Sequence, residues 1–308
     1  MPEGPEVRRH ADLLARALVG KPIQELSART KTARAWLDTH SDAMVGRAVQ
    51  SVTSRGKNLV GSVEGGFYFY SHLMMWGRWH VFHDPPEILE RDRRERARIV
   101  VPHAVAILFS APVFEVGQGD PFAQIPHLVA LGPDCLPPGG PPLFDIAEFL
   151  ARLAFHPART VGAVLLDQTV VAGLGNYLRA EILFQCRISP WHLAADLSPV
   201  DLQCLCQTLP SIAARAYLTE GTTVSDEWQA RMRSDAALVY NPDSEWGTRH
   251  AVFRRTNLPC LACGTPICQQ RQVTRQDEDG DKERIIYFCP QCQNVPVPDK
   301  PRRARKPS

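Results

Sequence analysis

Between Pro5 and about Val19, the apolar residues Val7, Ala11, Leu14 and Leu18 recur at helical spacing, and Gly20 with Pro22 beyond it ends the run. The pattern predicts an amphipathic helix that holds Pro2 and Glu3 at its N-terminal end. From about Ile23 to Val116 the period changes. Short alternating or apolar runs appear at Ala48–Val52, Leu59–Val63, Gly66–Tyr70, Trp79–Phe82, Ile99–Val101 and Ala104–Phe109. Turn signals such as Ser54-Arg55-Gly56-Lys57-Asn58 and Glu64-Gly65-Gly66 separate them. Many short strands at this spacing predict an antiparallel β-sandwich. The Pro/Gly-rich stretch from Leu136 to Pro142 breaks the pattern and makes the best domain boundary. Helical periodicity follows at Phe144–Ala154, Val161–Leu166, Tyr177–Gln185 and Pro199–Ala216; Thr248 to Cys292 is strand-like again. The expected fold is α+β. A helix-headed sandwich spans 1–136, an α domain 137–247 and a β-hairpin segment 248–293. The proline-rich basic stretch 294–308 reads as a disordered tail.

Composition narrows the class. The chain has 308 residues, 44% hydrophobic and 22% charged, which describes a soluble globular protein large enough for two or three domains. No apolar run approaches the roughly 20 residues a membrane span needs, and the start lacks the apolar core of a secretory signal. A cytoplasmic protein is expected. Net charge is only +2, so nucleic-acid binding is not legible in the total. Basic residues do cluster from Lys300 to Lys306 and, mixed with acids, from Arg91 to Arg98; both also fit solvated surface. Nine cysteines, an odd number, argue against a complete disulfide framework. Cys135, Cys186, Cys204, Cys206 and Cys268 read as buried or incidental thiols.

Three stretches carry candidate chemistry. Met1-Pro2-Glu3-Gly4-Pro5-Glu6 reads at its plainest as a helix start. If Met1 is removed, Pro2 becomes a free secondary amine, a group that is partly unprotonated at neutral pH and can attack a sugar aldehyde carbon to form an iminium. Glu3 stands beside it as a proton donor or acceptor. Cys260-Leu261-Ala262-Cys263 and Cys289-Pro290-Gln291-Cys292 offer two close thiolate pairs, the donor set of a tetrahedral structural Zn²⁺ site; redox or incidental pairs are the alternative. The 25 intervening residues are many for a compact ribbon, and Gln276–Asp281 reads as an extended hairpin tip. Asp167–Tyr177 joins two helical segments through a glycine turn, either a plain connection or a phosphate site in which Asn176 caps the second helix. Met75 and Trp76, beside Gly77, read on their own as core packing.

Together these pieces are familiar. Pro2-Glu3-Gly4-Pro5-Glu6, the Lys57 turn, Leu165-Leu166-Asp167-Gln168 through Glu181 and the cysteine ribbon occur in the order found in the formamidopyrimidine-DNA glycosylase and endonuclease VIII family, which the chain resembles over nearly its whole length. The resemblance implies a sandwich headed by the N-terminal helix, a helix–two-turn–helix domain and a zinc ribbon, with DNA bound between two lobes. It implies that Pro2 attacks C1′ of a damaged nucleotide and that Glu3 is the acid–base partner. Lys57 would contact phosphate and assist strand cleavage, and Asn176 and the hairpin residue Arg284 would grip phosphate. Gln168 belongs to the matched DNA-binding motif, and Met74, Met75 and Trp76 would fill the gap left by an extruded base. Phe109–Glu115 lacks the Asp-Pro-Arg-Arg-Phe signature of the purine-repair branch. With Gly173–Arg179, it looks more like bacterial endonuclease VIII. Met74 and Met75 stand where the family pattern has a polar residue and leucine, and Ala130 where it has an arginine. The expectation is a bifunctional glycosylase and abasic-site lyase acting on oxidised pyrimidines in damaged double-stranded DNA. It would be monomeric, with one zinc, no nucleotide cofactor and no membrane contact, and nucleoid-associated when bound to DNA. The alternatives are a purine-branch enzyme acting on 8-oxoguanine and formamidopyrimidines, or a catalytically silent DNA-binding module.

Overall fold

Pro5 lies in the first turn of α1 (Gly4–Leu18), where its missing N–H removes no helical hydrogen bond. The helix buries Val7, Ala11, Leu14, Ala17 and Leu18, the stripe its sequence period marks. The structure, a computed structural model, describes residues 2–85, 90–138, 143–241, 244–278 and 280–296. Met1, Pro/Gly-rich residues 139–142 and the basic stretch from Lys300 to Lys306 lie outside the described residues. The chain divides into two compact units, 1–131 and 132–308, a division that falls ahead of the Pro/Gly-rich stretch.

In the first unit the strands are β1 (Glu25–Ala28), β2 (Val49–Arg55), β3 (Asn58–Val63), β4 (Phe67–His72), β5 (Arg78–His83), β6 (Glu95–Val101), β7 (Ala104–Phe109) and β8 (Val113–Gln118). They form two antiparallel four-stranded sheets, in the orders β1-β6-β7-β5 and β2-β3-β4-β8, and α1 touches strands of both. Alternation in Phe67-Tyr68-Phe69-Tyr70 sends the two phenylalanines into the core, where Phe69 meets Trp79 and Phe114. The Tyr70 hydroxyl is left for a polar network on the other face. Three elements went unread in this stretch: β1, β8 and α2 (Lys31–Thr39). Only Ala33 of α2 is fully buried, so its apolar stripe is too thin to stand out. The arginine-rich run is largely paired, through Arg91 to Glu25, Arg94 to Asp92 and the buried Arg98 to Glu95. The unit closes with the short α3 (Pro121–Gln124) and α4 (Pro126–Val129).

The second unit contains α5 (Ile146–Ala154), α6 (Val161–Val164), α7 (Asn176–Gln185), α8 (Pro199–Leu218), α9 (Asp226–Ser234) and the hairpin β9 (Cys268–Asp277)–β10 (Gly280–Phe288). Helix α7 is buried almost all round because α8, α6 and β10 pack against it. Its Glu181 carboxylate, also buried, accepts from the backbone N–H groups of Ala251, Val252 and Phe253 and from Thr223 Oγ1. That ties the helix to the segment entering the hairpin. The strand-like reading of Thr248 to Cys292 is correct only from Cys268 to Phe288. The polar insert is mostly paired strand: Gln276 faces Asp281 and Asp277 faces Gly280, and within it Asp279 lies outside the described residues. Cys186 and Cys204, read as incidental thiols, form a disulfide. Packing of α7 against α8 brings together two thiols that their separation in sequence does not relate.

Gly61 sits directly across from Phe69, and a Cβ there would run into the phenyl ring. Gly61→Ala is expected to lower stability by about 1–3 kcal/mol, the usual range for overpacking. Urea denaturation of the full chain checks this, as an earlier midpoint for the first unit at unchanged slope.

Candidate nucleic-acid interface and metal centre

At the head of α1, Glu3 is the N-cap residue in extended conformation, 2% exposed, with half-buried Pro2 preceding it. The Glu6 carboxylate reaches back and accepts from the Glu3 N–H at 2.8 Å, and Arg9 approaches the other Glu6 oxygen at 3.5 Å. This is the capping-box arrangement. It pins the Pro2–Glu3 peptide to the first turn. The Glu3-x-x-Glu6 spacing is the sequence signal of this cap.

Lys57 occupies the β2–β3 turn behind Gly56, whose φ of +57° is the left-handed region that favours glycine. Asn58 braces the turn: its Nδ2 donates to the Arg55 carbonyl, and its Oδ1 accepts from the Tyr70 hydroxyl, which also meets His127 at 2.7 Å. The cross-strand partner of Asn58 is His72. Burial, then the Lys57 ammonium, then His127 push its pKa down to about 4. His72 is therefore neutral at pH 7, and its Nδ1 accepts the Met74 N–H at 3.1 Å. No spacing in the sequence marked His72; strand register puts it there.

His72 also anchors the next turn. Leu73 is buried, Met74 takes a left-handed φ of 53°, and Gly77 closes back on the Leu73 carbonyl, where a Cβ would strike Ala111. Between them Met74, Met75 and Trp76 are 47%, 59% and 76% exposed. The core-packing reading of Met75 and Trp76 is wrong. Three large apolar side chains stand in solvent on a braced turn.

In the second unit the Asp167–Tyr177 turn is rigidified from within. Gln168 Nε2 donates to the Leu166 and Leu174 carbonyls, and its Oε1 accepts from the Gly173 N–H, so the amide predicted to touch DNA is engaged in holding the turn. Burial works against ionisation of Asp167, but hydrogen bonds from Arg159 and Thr169 outweigh it and keep the carboxyl below its usual range. Asn176 is the first residue of α7, and Gly175 is the cap. Asn176 therefore does not cap the helix; its side-chain oxygen is approached by Arg179 instead, at 3.5 Å. Arg284 is exposed on β10, opposite Gln272, with the neighbouring Ile285 carbonyl accepting from the same Arg179 nitrogen. Asn176 and the Arg284 strand thus meet at one guanidinium.

The four cysteine sulfurs, of Cys260, Cys263, Cys289 and Cys292, all lie within 4.8 Å of one another. The contacts are 3.9 Å for Cys260–Cys292 and 3.5 Å for both Cys263–Cys289 and Cys263–Cys292. Four sulfurs about 2.3 Å from one zinc ion stand about 3.8 Å apart, so the cluster fits a tetrahedral ion. Burial opposes ionisation of Cys263, but hydrogen bonds from Thr265 win and bring its pKa to about 6; burial drives Cys292 up to about 11. A bound cation would hold the whole set as thiolates. Gln293 accepts from the Cys289 N–H and donates to the Ile188 carbonyl, anchoring the second knuckle to the helices.

Elemental analysis is expected to return one zinc per chain, with Cys263→Ala losing it; metal-free protein of native fold would contradict the assignment. A second expectation concerns pH. His10, His72 and His250 each have a pKa near 4 in the folded chain, burial being the largest cause each time, against 6.5 when unfolded. Between those values the unfolded chain binds more protons, so stability rises with pH across that interval. Unfolding midpoints should be level above about pH 7 and fall from about 6.5 toward 4. A denaturation series over pH, with His72→Gln flattening part of the slope, checks it.

The family model for the formamidopyrimidine-DNA glycosylase N-terminal domain matches residues 1–110, and that for the H2TH domain of the same glycosylase matches residues 131–227. Endonuclease 8 of Escherichia coli O17:K52:H18 is 33% identical over 294 residues, covering 96% of this chain and all of the relative. Endonuclease 8 of Pectobacterium carotovorum is also 33% identical, over 95% of this chain and all of that relative. Among solved structures, Lactococcus lactis Fpg bound to abasic-site DNA superposes with a TM-score of 0.72 at 22% identity, covering 94% of this chain and 99% of that one. MutM (Fpg) of Thermus thermophilus gives 0.70 at 27% identity, covering 96% and 100%. The chain belongs to the formamidopyrimidine-DNA glycosylase and endonuclease 8 family of DNA-repair glycosylases.

Proposed function

We propose that this chain is a bifunctional glycosylase and abasic-site lyase that removes oxidised pyrimidines from damaged duplex DNA. The observation that carries the chemistry is the lock at the head of α1, where Glu6 holds the Glu3 N–H and so fixes the residue that would become the chain's amine terminus. With Met1 removed, the Pro2 nitrogen attacks C1′ of the damaged nucleotide; the C1′–base bond breaks and the base leaves with a proton. The C1′–O4′ bond then opens as Glu3 gives O4′ a proton, and the resulting iminium acidifies C2′–H, whose proton is lost as the 3′ phosphate departs; a second elimination expels the 5′ phosphate, and water returns the amine. Glu3 moves protons at the sugar. Lys57 contacts phosphate and assists strand cleavage, while Asn176 and Arg284 hold the phosphates beside the lesion. Met74, Met75 and Trp76, exposed on a rigid turn, suit the space an extruded base vacates.

The preference for pyrimidines is supported by the full-length likeness to endonuclease 8 relatives and by Gly173–Arg179. Zinc, when bound, supplies no reaction step and keeps the Arg284 hairpin folded. We place the sandwich in 1–136, the helix–two-turn–helix domain in 137–247 and the ribbon in 248–293, in a monomer.

Borohydride is expected to trap a covalent complex with duplex DNA carrying thymine glycol or an abasic site, the adduct mapping to Pro2 by mass spectrometry. The same measurement shows whether Met1 has been removed. Correctly processed protein that yields no adduct overturns the mechanism. Faster cleavage of 8-oxoguanine than of thymine glycol duplexes would move the chain to the purine branch and leave the mechanism intact.

A further inference from the structure

The chain has five methionines, one of them the initiator Met1, and the other four divide sharply by setting. Met44 is 2% exposed in the core of the first unit, and Met232 is 0% exposed in the core around the cysteine knuckles. Met232 is also engaged, its sulfur accepting from Arg255 Nη1 at 2.8 Å. Met74 and Met75 are the reverse case, consecutive and 47% and 59% exposed. Their turn does not depend on their side chains. It is held by buried Leu73, by the Met74 N–H on His72 Nδ1 at 3.1 Å and by the Gly77 N–H on the Leu73 carbonyl at 2.8 Å.

An exposed thioether is open to two-electron oxidants, whereas a buried one is shielded. Its sulfur lone pair attacks a hydroperoxide: an S–O bond forms, the O–O bond breaks, and the departing oxygen leaves as water or alcohol with the peroxide's own proton. Sulfur is oxidised to the sulfoxide, the peroxide is reduced, and no further reactant is needed. The product is polar where the thioether was apolar. In solvent the new oxygen is hydrated and costs nothing, so the free protein stays folded. Pressed into the apolar space between stacked bases, the same oxygen loses its water and finds no donor, which is unfavourable. Oxidation therefore acts on the DNA-bound state and spares the free one.

We propose that Met74 and Met75 are a modification site, oxidised by hydroperoxides to sulfoxides that weaken the protein's hold on lesion DNA. A dithiol-dependent reductase reverses the step: two thiols become a disulfide, and the sulfoxide oxygen leaves as water. This rests on the reading of the Met74–Trp76 turn as the filler of the space an extruded base vacates.

The test treats the full chain with hydrogen peroxide and maps the added oxygen by peptide mass spectrometry. Sulfoxide should appear at Met74 and Met75 well before Met44 and Met232. Affinity is then measured for duplex DNA bearing an uncleavable tetrahydrofuran abasic analogue. Oxidised protein should bind roughly tenfold more weakly, the fold-change of one polar group buried without a partner, at an unchanged thermal midpoint. Incubation with the two methionine sulfoxide reductases, one for each epimer, should restore the affinity. Exposed thiols such as that of Cys263 also meet peroxide, so the double variant Met74→Leu/Met75→Leu is treated in parallel and compared with its own untreated sample, whose affinity it should keep. An equal loss in that variant overturns the proposal, as does sulfoxide confined to Met44 and Met232, or full oxidation of Met74 and Met75 with affinity unchanged. These outcomes leave the reading of the turn standing. Met74→Ala/Met75→Ala binding the duplex as tightly as wild type removes that reading and this inference with it.

Discussion

The residues ahead of α1 pose a physical difficulty that the first unit is built to meet. Residues near a chain end fray unless something holds them. Here the hydrogen bond from the Glu3 N–H to the Glu6 carboxylate ties the Pro2–Glu3 peptide to the first turn of α1. Pro5 stiffens the same turn, and the buried stripe from Val7 to Leu18 welds the helix to strands of both sheets. The positive end of the helix dipole lies at this same turn and favours negative charge there.

The other candidate groups obey the same rule at smaller scale. Lys57 and the Met74–Trp76 triplet lie on turns, which are flexible by default, and each turn is braced by buried polar groups: Asn58 and Tyr70 under the first, His72 under the second. His72 can serve as a backbone acceptor beside an ammonium only because burial and that ammonium keep it neutral. In the second unit Gln168 fixes its own turn, and Arg179 fixes Asn176 and the hairpin. The candidate groups are thus carried on satisfied polar networks, an arrangement that limits the entropy lost when such groups bind a ligand.

How much of this was legible follows from range. Periodicity displays a helix such as α1 or strands such as β3 and β7, because burial repeats over many residues. It hides α2, whose face is one fully buried alanine, and β8, which reads as a loop between proline and glycine. Position within short motifs is what singles out Pro2, Glu3 and Lys57 as candidates. His72 and Arg179 carry no such mark, because their neighbours come from register and helix packing many residues away. Gln168 shows the opposite failure. It sits in a motif recognised as binding DNA, yet its three amide bonds all run to its own turn. A motif names a structure, and the structure assigns the labour within it.

The cysteines divide along the same line. A CxxC pair sets two thiols on one turn, so sequence alone brings each half of the cluster to ligand distance, and folding needs only to dock one knuckle on the other. Gln293 and the apolar packing around Ile267, Ile286 and Phe288 accomplish that docking. Cys186 and Cys204 have no such local preparation. They meet because the C-cap of α7 lies against the second turn of α8, and nothing in an eighteen-residue separation announces it. The disulfide restrains the end of the helix that starts at Asn176, while the knuckles restrain the hairpin that carries Arg284. The disulfide and the cysteine knuckles therefore lie at the far ends of the two elements whose near ends Arg179 joins, and Asn176 and the Arg284 strand are held between fixed points on both sides.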